Sequence, residues 1–175
     1  IKNSHFIGIS FGTLLIFKLM QTHKNYINKS ILAGAITSFN HFTRFLLLCL
    51  NLFKSILPNM FLYKLFAYII MPKLNHKESR LLFINEAKVI DRKVFNKWLK
   101  LIPDLKNIII NLKPSNFNKY ILFLSGKDDY LFSEDVREFA SKNKFLSYYS
   151  IKGAGHVVNI DKPSVFNKRV IEYLK

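Results

Sequence analysis

A serine between two glycines, Gly8-x-Ser10-x-Gly12, separates two apolar stretches near the start of the chain. Residues 5–9 predict a short strand, and the stretch that continues to about Thr22 predicts a mostly buried helix. Such a tight turn admits only small residues beside the serine, and it pushes the hydroxyl out at the carboxyl edge of a sheet, close to the N-terminus of the helix. The motif alone leaves two interpretations of Ser10 open, a nucleophile or a serine that caps the helix.

Short apolar runs later in the chain predict the other strands of a mostly parallel sheet. These strands are expected at residues 30–36, 108–110, 120–124 and 145–151. Helices are expected at residues 133–143 with Ser133 as the cap, at residues 163–174, and on the surface at residues 76–101. The predicted fold class is therefore α/β, a sheet flanked by helices. Its core segments are residues 1–38 and 113–175, and residues 39–112 are an inserted helical cap.

Residues 45–71 of this cap are rich in Leu, Phe and Ile, but Lys54, Pro58 and Lys64 interrupt them. The uninterrupted pieces are shorter than the roughly 20 apolar residues that a membrane span needs, so the segment predicts amphipathic helices. Packing against the core is the favoured interpretation of the apolar side chains, and a lining of this kind would suit a hydrophobic acyl or alkyl substrate. Weak association of the basic cap with an anionic membrane surface is the second interpretation.

The net charge of +16 comes from 27 Lys and Arg against 11 Asp and Glu. A charge of this size raises the question of a nucleic-acid partner. However, the lysines are scattered singly among Asn and Ile, and no basic run or nucleic-acid-binding module accompanies them. A nucleic-acid partner is therefore not expected.

The single cysteine, Cys49, stands among leucines. It excludes an internal disulfide and a cysteine-based zinc site, and its setting predicts a buried thiol. A cytoplasmic location is the simplest expectation for such a chain. His5, His23, His41 and His76 are not spaced like metal ligands, so neither a metal nor an organic cofactor is expected.

Two further segments place polar side chains at the sheet edge where Ser10 is expected. Asp128 and Asp129 lie in a turn after strand 120–124, and His156 lies in a glycine-flanked loop after the next strand. A histidine can take the proton of a serine nucleophile, and a carboxylate can orient that histidine. The alternatives are a carboxylate that binds N–H groups of its own turn and a histidine that binds the backbone. The chain order serine, acid, histidine favours the catalytic interpretation.

The whole chain resembles the C-terminal two thirds or so of an α/β-hydrolase-fold protein. The resemblance rests on GISFG, SILAGAI, the helical insertion, LFLSGKDD and GAGHVVNIDKPSVFNKRVIEYL. In that family the acid usually stands three residues after the glycine of its turn, which selects Asp129, with Asp128 as the less favoured candidate. The resemblance implies that Ser10 is the nucleophile, His156 the base and Asp129 the residue that orients it. The Phe11 N–H is the implied oxyanion donor.

The implied function is a serine hydrolase that cleaves an ester or thioester of a small to medium hydrophobic acid. The alternatives are an acyltransferase or another non-hydrolytic enzyme of this fold, and a non-catalytic receptor for a hydrophobic ligand. The chain begins at Ile1, close to a predicted strand, so we expect an earlier part of the fold to be absent from it. The loop that donates the second oxyanion N–H belongs to that part. Residues 1–175 alone are therefore expected to be inactive and poorly soluble.

Overall fold

The computed structural model describes residues 3–53 and 56–175, and Lys54, which interrupts the apolar cap segment, lies outside them. In these residues the chain forms four strands and nine helices. The strands are β1 (Ser4–Ile9), β2 (Ile27–Ala33), β3 (Ile121–Gly126) and β4 (Leu146–Ile151). The helices are α1 (Phe11–Thr22), α2 (His41–Phe53), α3 (Asn59–Ile70), α4 (Lys77–Ala87), α5 (Arg92–Lys100), α6 (Ile102–Ile110), α7 (Ser133–Ser141), α8 (Val158–Asp161) and α9 (Pro163–Leu174).

The four strands form one parallel sheet in the order β1-β2-β3-β4. Because all strands run in the same direction, their carboxyl ends lie at one edge of the sheet, where open α/β sheets bind their ligands. Ser10 follows β1, Gly34 follows β2, Asp129 follows β3 and His156 follows β4. The three predicted site residues therefore reach the same edge. The prediction of an α/β fold with a parallel sheet is confirmed.

Alternate side chains of β3 pack on opposite faces of the sheet, as the two-residue period of a strand requires. Ile121 and Phe123 belong to the core that includes α1 and α7 side chains. Leu122 and Leu124 belong to the core that includes α9 side chains. Every residue of β3 is buried, which explains why this strand reads as a continuous apolar run. The sheet thus lies between two helical layers.

Two predicted strands differ from those observed. The strand predicted at residues 30–36 is observed at Ile27–Ala33. It ends at Ala33 because Gly34 has a φ of 53° and turns the chain out of the sheet. The prediction of a strand at 108–110 is wrong, since these isoleucines end helix α6. Side chains at positions 105, 108, 109 and 112 all contact the core, and this i, i+3, i+4, i+7 spacing is that of a helix. The burial period therefore outweighs the strand preference of isoleucine.

Two helix predictions also need correction. Ser133 is the first residue of α7 rather than its cap, and its hydroxyl lies 2.7 Å from the hydroxyl of Tyr148 on β4. The predicted surface helix 76–101 is two helices, α4 and α5. The chain restarts at Asp91, whose carboxylate accepts hydrogen bonds from the N–H groups of Lys93 and Val94 and so caps α5.

Helices α2 to α6 lie between β2 and β3 in the chain. Within residues 3–53 and 56–175, no helix has both the length and the apolar character needed to cross a bilayer. The prediction that the Cys49 thiol is buried is wrong, because this residue of α2 is partly exposed. Cys49 lines a cavity formed mostly by α2 and α3 side chains. The leucines beside it in the sequence do not indicate this cavity.

Candidate active site

Ser10 occupies a backbone conformation that residues with a side chain rarely adopt. Its φ is 50° and its ψ is −115°, and a non-glycine residue held in this region is strained. The Ser10 N–H donates to the carbonyl of Ala33 at 2.8 Å, which ties the turn to the end of β2. The Ser10 side chain makes no capping hydrogen bond to α1. Ser10 therefore occupies the N-cap position of α1, but the alternative interpretation that its side chain caps the helix is wrong.

The two glycines of the motif have different roles. A Cβ on Gly8 would lie 2.6 Å from Cδ1 of Ile16 and 2.9 Å from the backbone of Gly12. The turn therefore packs directly against α1 and leaves no room for a side chain at position 8. A Cβ on Gly12 would meet no atom within 4 Å. The expectation that only small residues fit beside the serine thus holds for Gly8 but not for Gly12.

Ser10, His156 and Asp129 form a continuous hydrogen-bonded chain. Ser10 Oγ lies 2.7 Å from Nε2 of His156, and Nδ1 of His156 lies 2.8 Å from Oδ2 of Asp129. His156 and Asp129 are buried, whereas Ser10 is partly exposed. Because an ionised carboxylate can only accept, Nδ1 carries the imidazole proton and Nε2 accepts from the Ser10 hydroxyl. This arrangement can remove a proton from Ser10 and hold the resulting imidazolium against Asp129.

The two adjacent carboxylates of the acid turn face different partners. Asp129 faces His156, whereas Asp128 Oδ1 lies 2.5 Å from Nζ of Lys73 in the cap. Asn75 also donates to Asp128, at 3.4 Å. The hydrogen bond from Lys73 lowers the pKa of Asp128, so this carboxylate stays ionised and joins the core to the cap. Of the two candidates, Asp129 is the one placed to orient His156.

Close backbone contacts fix the loop that carries His156. A Cβ on Gly126 would lie 2.1 Å from the carbonyl oxygen of Gly155. A Cβ on Gly34 would lie 2.4 Å from the carbonyl oxygen of His156. The ends of β2 and β3 therefore approach the histidine loop so closely that only glycine fits at these two positions.

Three polar side chains outside the predicted site also hold this loop. Asp161 Oδ2 accepts a 2.7 Å hydrogen bond from the N–H of Gly155, and the Ser79 hydroxyl of α4 donates to Asp161 Oδ1. The ring of His76 is fully buried against Gly155, where a Cβ would lie 2.6 Å from its Cε1. Sequence reasoning missed these contacts. Asp161 falls within the GAGHVVNIDKPSVFNKRVIEYL stretch of the resemblance but has no implied role there, and Ser79 and His76 carry no local signal because they come from the cap.

Comparison with solved structures identifies the architecture. The chain superposes on an α/β-hydrolase enzyme from a Medee basin deep-sea metagenome library with a TM-score of 0.81 and 14% sequence identity. For an esterase from Exiguobacterium antarcticum the TM-score is 0.80 and the identity 17%. For a bromoperoxidase from Bacillus anthracis the values are 0.77 and 18%. These superpositions cover 98–99% of this chain. The chain has the α/β-hydrolase fold. It spans 65–68% of the length of the three structures. No protein-family model matches the sequence, and no curated protein matches it.

Phe11 follows Ser10 and is the first residue of α1, so its N–H has no acceptor within its helix. The Phe11 ring packs edge-on against Trp98 of α5, with ring centroids 4.9 Å apart. The ring of Phe132 lies 5.2 Å from the His156 ring. Sequence reasoning missed both residues, because Phe132 reads as ordinary packing and Trp98 lies in a lysine-rich segment with no local sign of its contact with Phe11.

An apolar cavity of about 240 Å³ adjoins these groups. Phe11 and Phe132, which flank Ser10 and His156, both belong to its lining. Most of the other lining side chains come from α2 and α3, and among the described residues Thr43 is the one that brings a hydroxyl. A cavity of about 150 Å³ lined by similar side chains holds one benzene molecule, so this one has room for roughly eight to ten carbon atoms. Its walls can accept a hydrocarbon chain, whereas a charged group there would lose its hydration without compensation.

Proposed function

We propose that this chain carries the catalytic residues of a serine hydrolase that cleaves an ester or thioester of an apolar carboxylic acid. The observation that carries the proposal is the contact of 2.7 Å between Ser10 Oγ and His156 Nε2, made from a turn with a positive φ. A strained residue persists where the surrounding structure holds it, and such residues cluster at active sites. The buried Asp129 carboxylate completes the chain of hydrogen bonds.

In the first half of the reaction, Ser10 Oγ bonds to the carbonyl carbon of the substrate while His156 Nε2 takes the hydroxyl proton. The carbonyl oxygen becomes an oxyanion and accepts a hydrogen bond from the Phe11 N–H. The bond to the alcohol or thiol then breaks, and the leaving group takes the proton from His156. The products of this half are the free alcohol or thiol and an acyl group on Ser10.

In the second half, a water molecule gives a proton to His156 and bonds to the acyl carbon. The bond to Ser10 Oγ breaks, the serine regains the proton, and the carboxylic acid leaves. Asp129 keeps the Nδ1–H of His156 aligned and stabilises the imidazolium in both halves. No step needs a metal or an organic cofactor.

The cavity supports a substrate with a hydrocarbon chain on its acyl side. Phe11 links the two features of the proposal, since its N–H is the proposed oxyanion donor and the residue lines the cavity. An acyl chain of about eight to ten carbons would fill that space. We therefore expect octanoyl and decanoyl esters to be better substrates than acetyl esters.

The test is hydrolysis of a series of nitrophenyl esters by the protein at its natural length. Ser10→Ala should lower kcat by about a thousandfold or more, since the nucleophile is lost. Ser141→Ala, which changes an exposed serine on α7, is the matched control and should keep full activity. Product analysis with added alcohols separates hydrolysis from acyl transfer. A folded protein that binds the esters but turns none over, in both wild type and Ser10→Ala, would show that the site is a receptor.

The isolated residues 1–175 are a second test of the oxyanion assignment. Phe11 supplies one N–H, and the resemblance puts the other on a loop that follows an early strand. Loss of one oxyanion donor costs about a hundredfold to a thousandfold in rate. We expect this piece to be poorly soluble and inactive. A soluble preparation of residues 1–175 that unfolds cooperatively and cleaves esters would contradict this assignment.

A further inference from the structure

The outer side of two cap helices exposes large apolar residues. On α2, Phe45, Leu48 and Leu52 are 59%, 56% and 60% exposed. Their i, i+3, i+7 spacing places them on one side of the helix. On α3, three exposed side chains at the i, i+4, i+7 spacing likewise lie on one side of the helix. We call the six residues the outer cap face: Phe45, Leu48, Leu52, Phe61, Leu65 and Tyr68.

Helix α2 is apolar on its inner side as well. Leu46, Leu47 and Leu50 line the apolar cavity, while Leu48 and Leu52 face outward. Apolar side chains therefore extend beyond the side of α2 that faces the cavity, while Arg44 supplies a cation on the exposed side. Groups of large exposed apolar side chains on a protein surface mark an interaction site. The outer cap face therefore suits an apolar partner.

The charge of the cap indicates the second property of the partner. Residues 39–112 contain twelve Lys or Arg and four Asp or Glu, whereas residues 128–175 contain eight basic and seven acidic residues. Both cap helices with the exposed apolar side chains fall in the first segment. Arg44 on α2 and Lys64 on α3 are exposed beside the outer cap face. A partner of this face must therefore be both apolar and negatively charged.

We infer that the outer cap face docks on an anionic lipid membrane. Acyl chains cover the apolar side chains, and the acidic headgroups lie against Arg44 and Lys64. Basic residues near such a surface are attracted to it electrostatically. A second copy of this chain fits less well, because a symmetric contact would set Arg44 and Lys64 against the same cations of the partner.

The cavity opens beside the same face. Phe53, Leu65 and Phe66 line the cavity and are also more than two fifths exposed. An acyl chain that leaves the membrane can thus enter the cavity past these three side chains. This delivery step rests on the proposed function, whereas the docking itself does not.

The experiment is sedimentation of the protein at its natural length with phosphatidylcholine vesicles, with and without about one third phosphatidylglycerol. We expect strong binding to the anionic vesicles, weak binding to the neutral ones, and loss of binding at high salt. Leu48→Ser combined with Leu52→Ser should weaken binding by about tenfold or more. The matched control, Leu74→Ser with Val89→Ser, changes two more exposed apolar residues outside α2 and α3 and should leave binding unchanged.

A labelled cysteine gives an independent readout of the docked face. In a Cys49→Ser background, an environment-sensitive dye on Leu52→Cys should shift to the blue with anionic vesicles, and the same dye on Val89→Cys should not. Ser10→Ala should bind vesicles like the wild type, so failure of the proposed chemistry would not change this result. Equal binding to both vesicle types, binding that survives the double serine variant, or a dimer that shields Leu52 from vesicles would each overturn the inference.

Discussion

The sheet edge and the cap are built in different ways. At the edge, polar side chains with defined hydrogen-bond partners lie in turns that directly follow strands. The Ser10–His156 and His156–Asp129 contacts are 2.7 and 2.8 Å long. In the cap, helices α2 and α3 supply most of the apolar side chains that line a cavity. Under the proposed function, the comparison teaches that the chemistry would depend on a few short segments, whereas the choice of substrate would depend on packing between distant parts of the chain.

The largest difference in kcat between substitutions of adjacent residues is expected in the acid turn. Asp129→Asn should lower kcat by about ten thousandfold, because the amide favours the wrong tautomer of His156. Asp128→Asn changes a side chain of the same shape that faces Lys73, and kcat should change by less than about threefold. Steady-state kinetics of both variants checks this. Equal losses would show that the edge does not distinguish the two carboxylates.

The two glycines that flank Ser10 give the next largest contrast. Gly8→Ala should lower the free energy of unfolding by about 1–3 kcal/mol, because the new Cβ overlaps Ile16. Gly12→Ala places its Cβ in open space within α1, and the better helix propensity of alanine should raise stability by up to about 1 kcal/mol. Denaturant unfolding measures both changes. A Gly8→Ala variant as stable as the wild type would contradict the packing of the turn.

Substitutions in the cap should change the acyl-chain length that the site prefers and should leave the reaction steps unchanged. Leu50→Trp fills the cavity from α2, so KM for decanoyl esters should rise by about tenfold while acetyl esters are cleaved as before. Leu52→Trp is two residues away but points outward and should leave both substrates unchanged in detergent-free solution. A similar loss for both ester lengths in Leu50→Trp would show that the cavity does not hold the acyl chain.

The smallest effect is expected where core and cap meet. Lys73 lowers the pKa of Asp128, so this ion pair stabilises the folded protein at neutral pH and its contribution is lost as the pH falls through the lowered pKa. Lys73→Met should cost a few tenths of a kcal/mol at pH 7, and the cost should vanish well below about pH 4. Unfolding curves across this range test it. In an Asp128→Asn background, Lys73→Met should have no pH-dependent effect.

Local signals account for what the sequence could predict. The turn at Ser10, the acid turn and the histidine loop each follow a short apolar strand. Ser10, Asp129 and His156 are brought together as their positions after β1, β3 and β4 require. The strand prediction for residues 108–110 failed because isoleucine is β-branched and favours strands. The spacing of these residues with Leu105 and Leu112 is that of a helix. Ser79, His76 and Trp98 could not be found, since their contacts join segments far apart in the chain.

The measurement that tests the central claim most directly is labelling with a fluorophosphonate, with the modified peptide mapped by mass spectrometry. The protein at its natural length should carry a single adduct on Ser10, and His156→Ala should slow its formation by at least about a hundredfold. An exposed serine such as Ser141 should remain unmodified. A protein that melts cooperatively but carries no adduct on Ser10, or labels Ser10 and Ser141 equally, would contradict the assignment of Ser10 as an activated nucleophile.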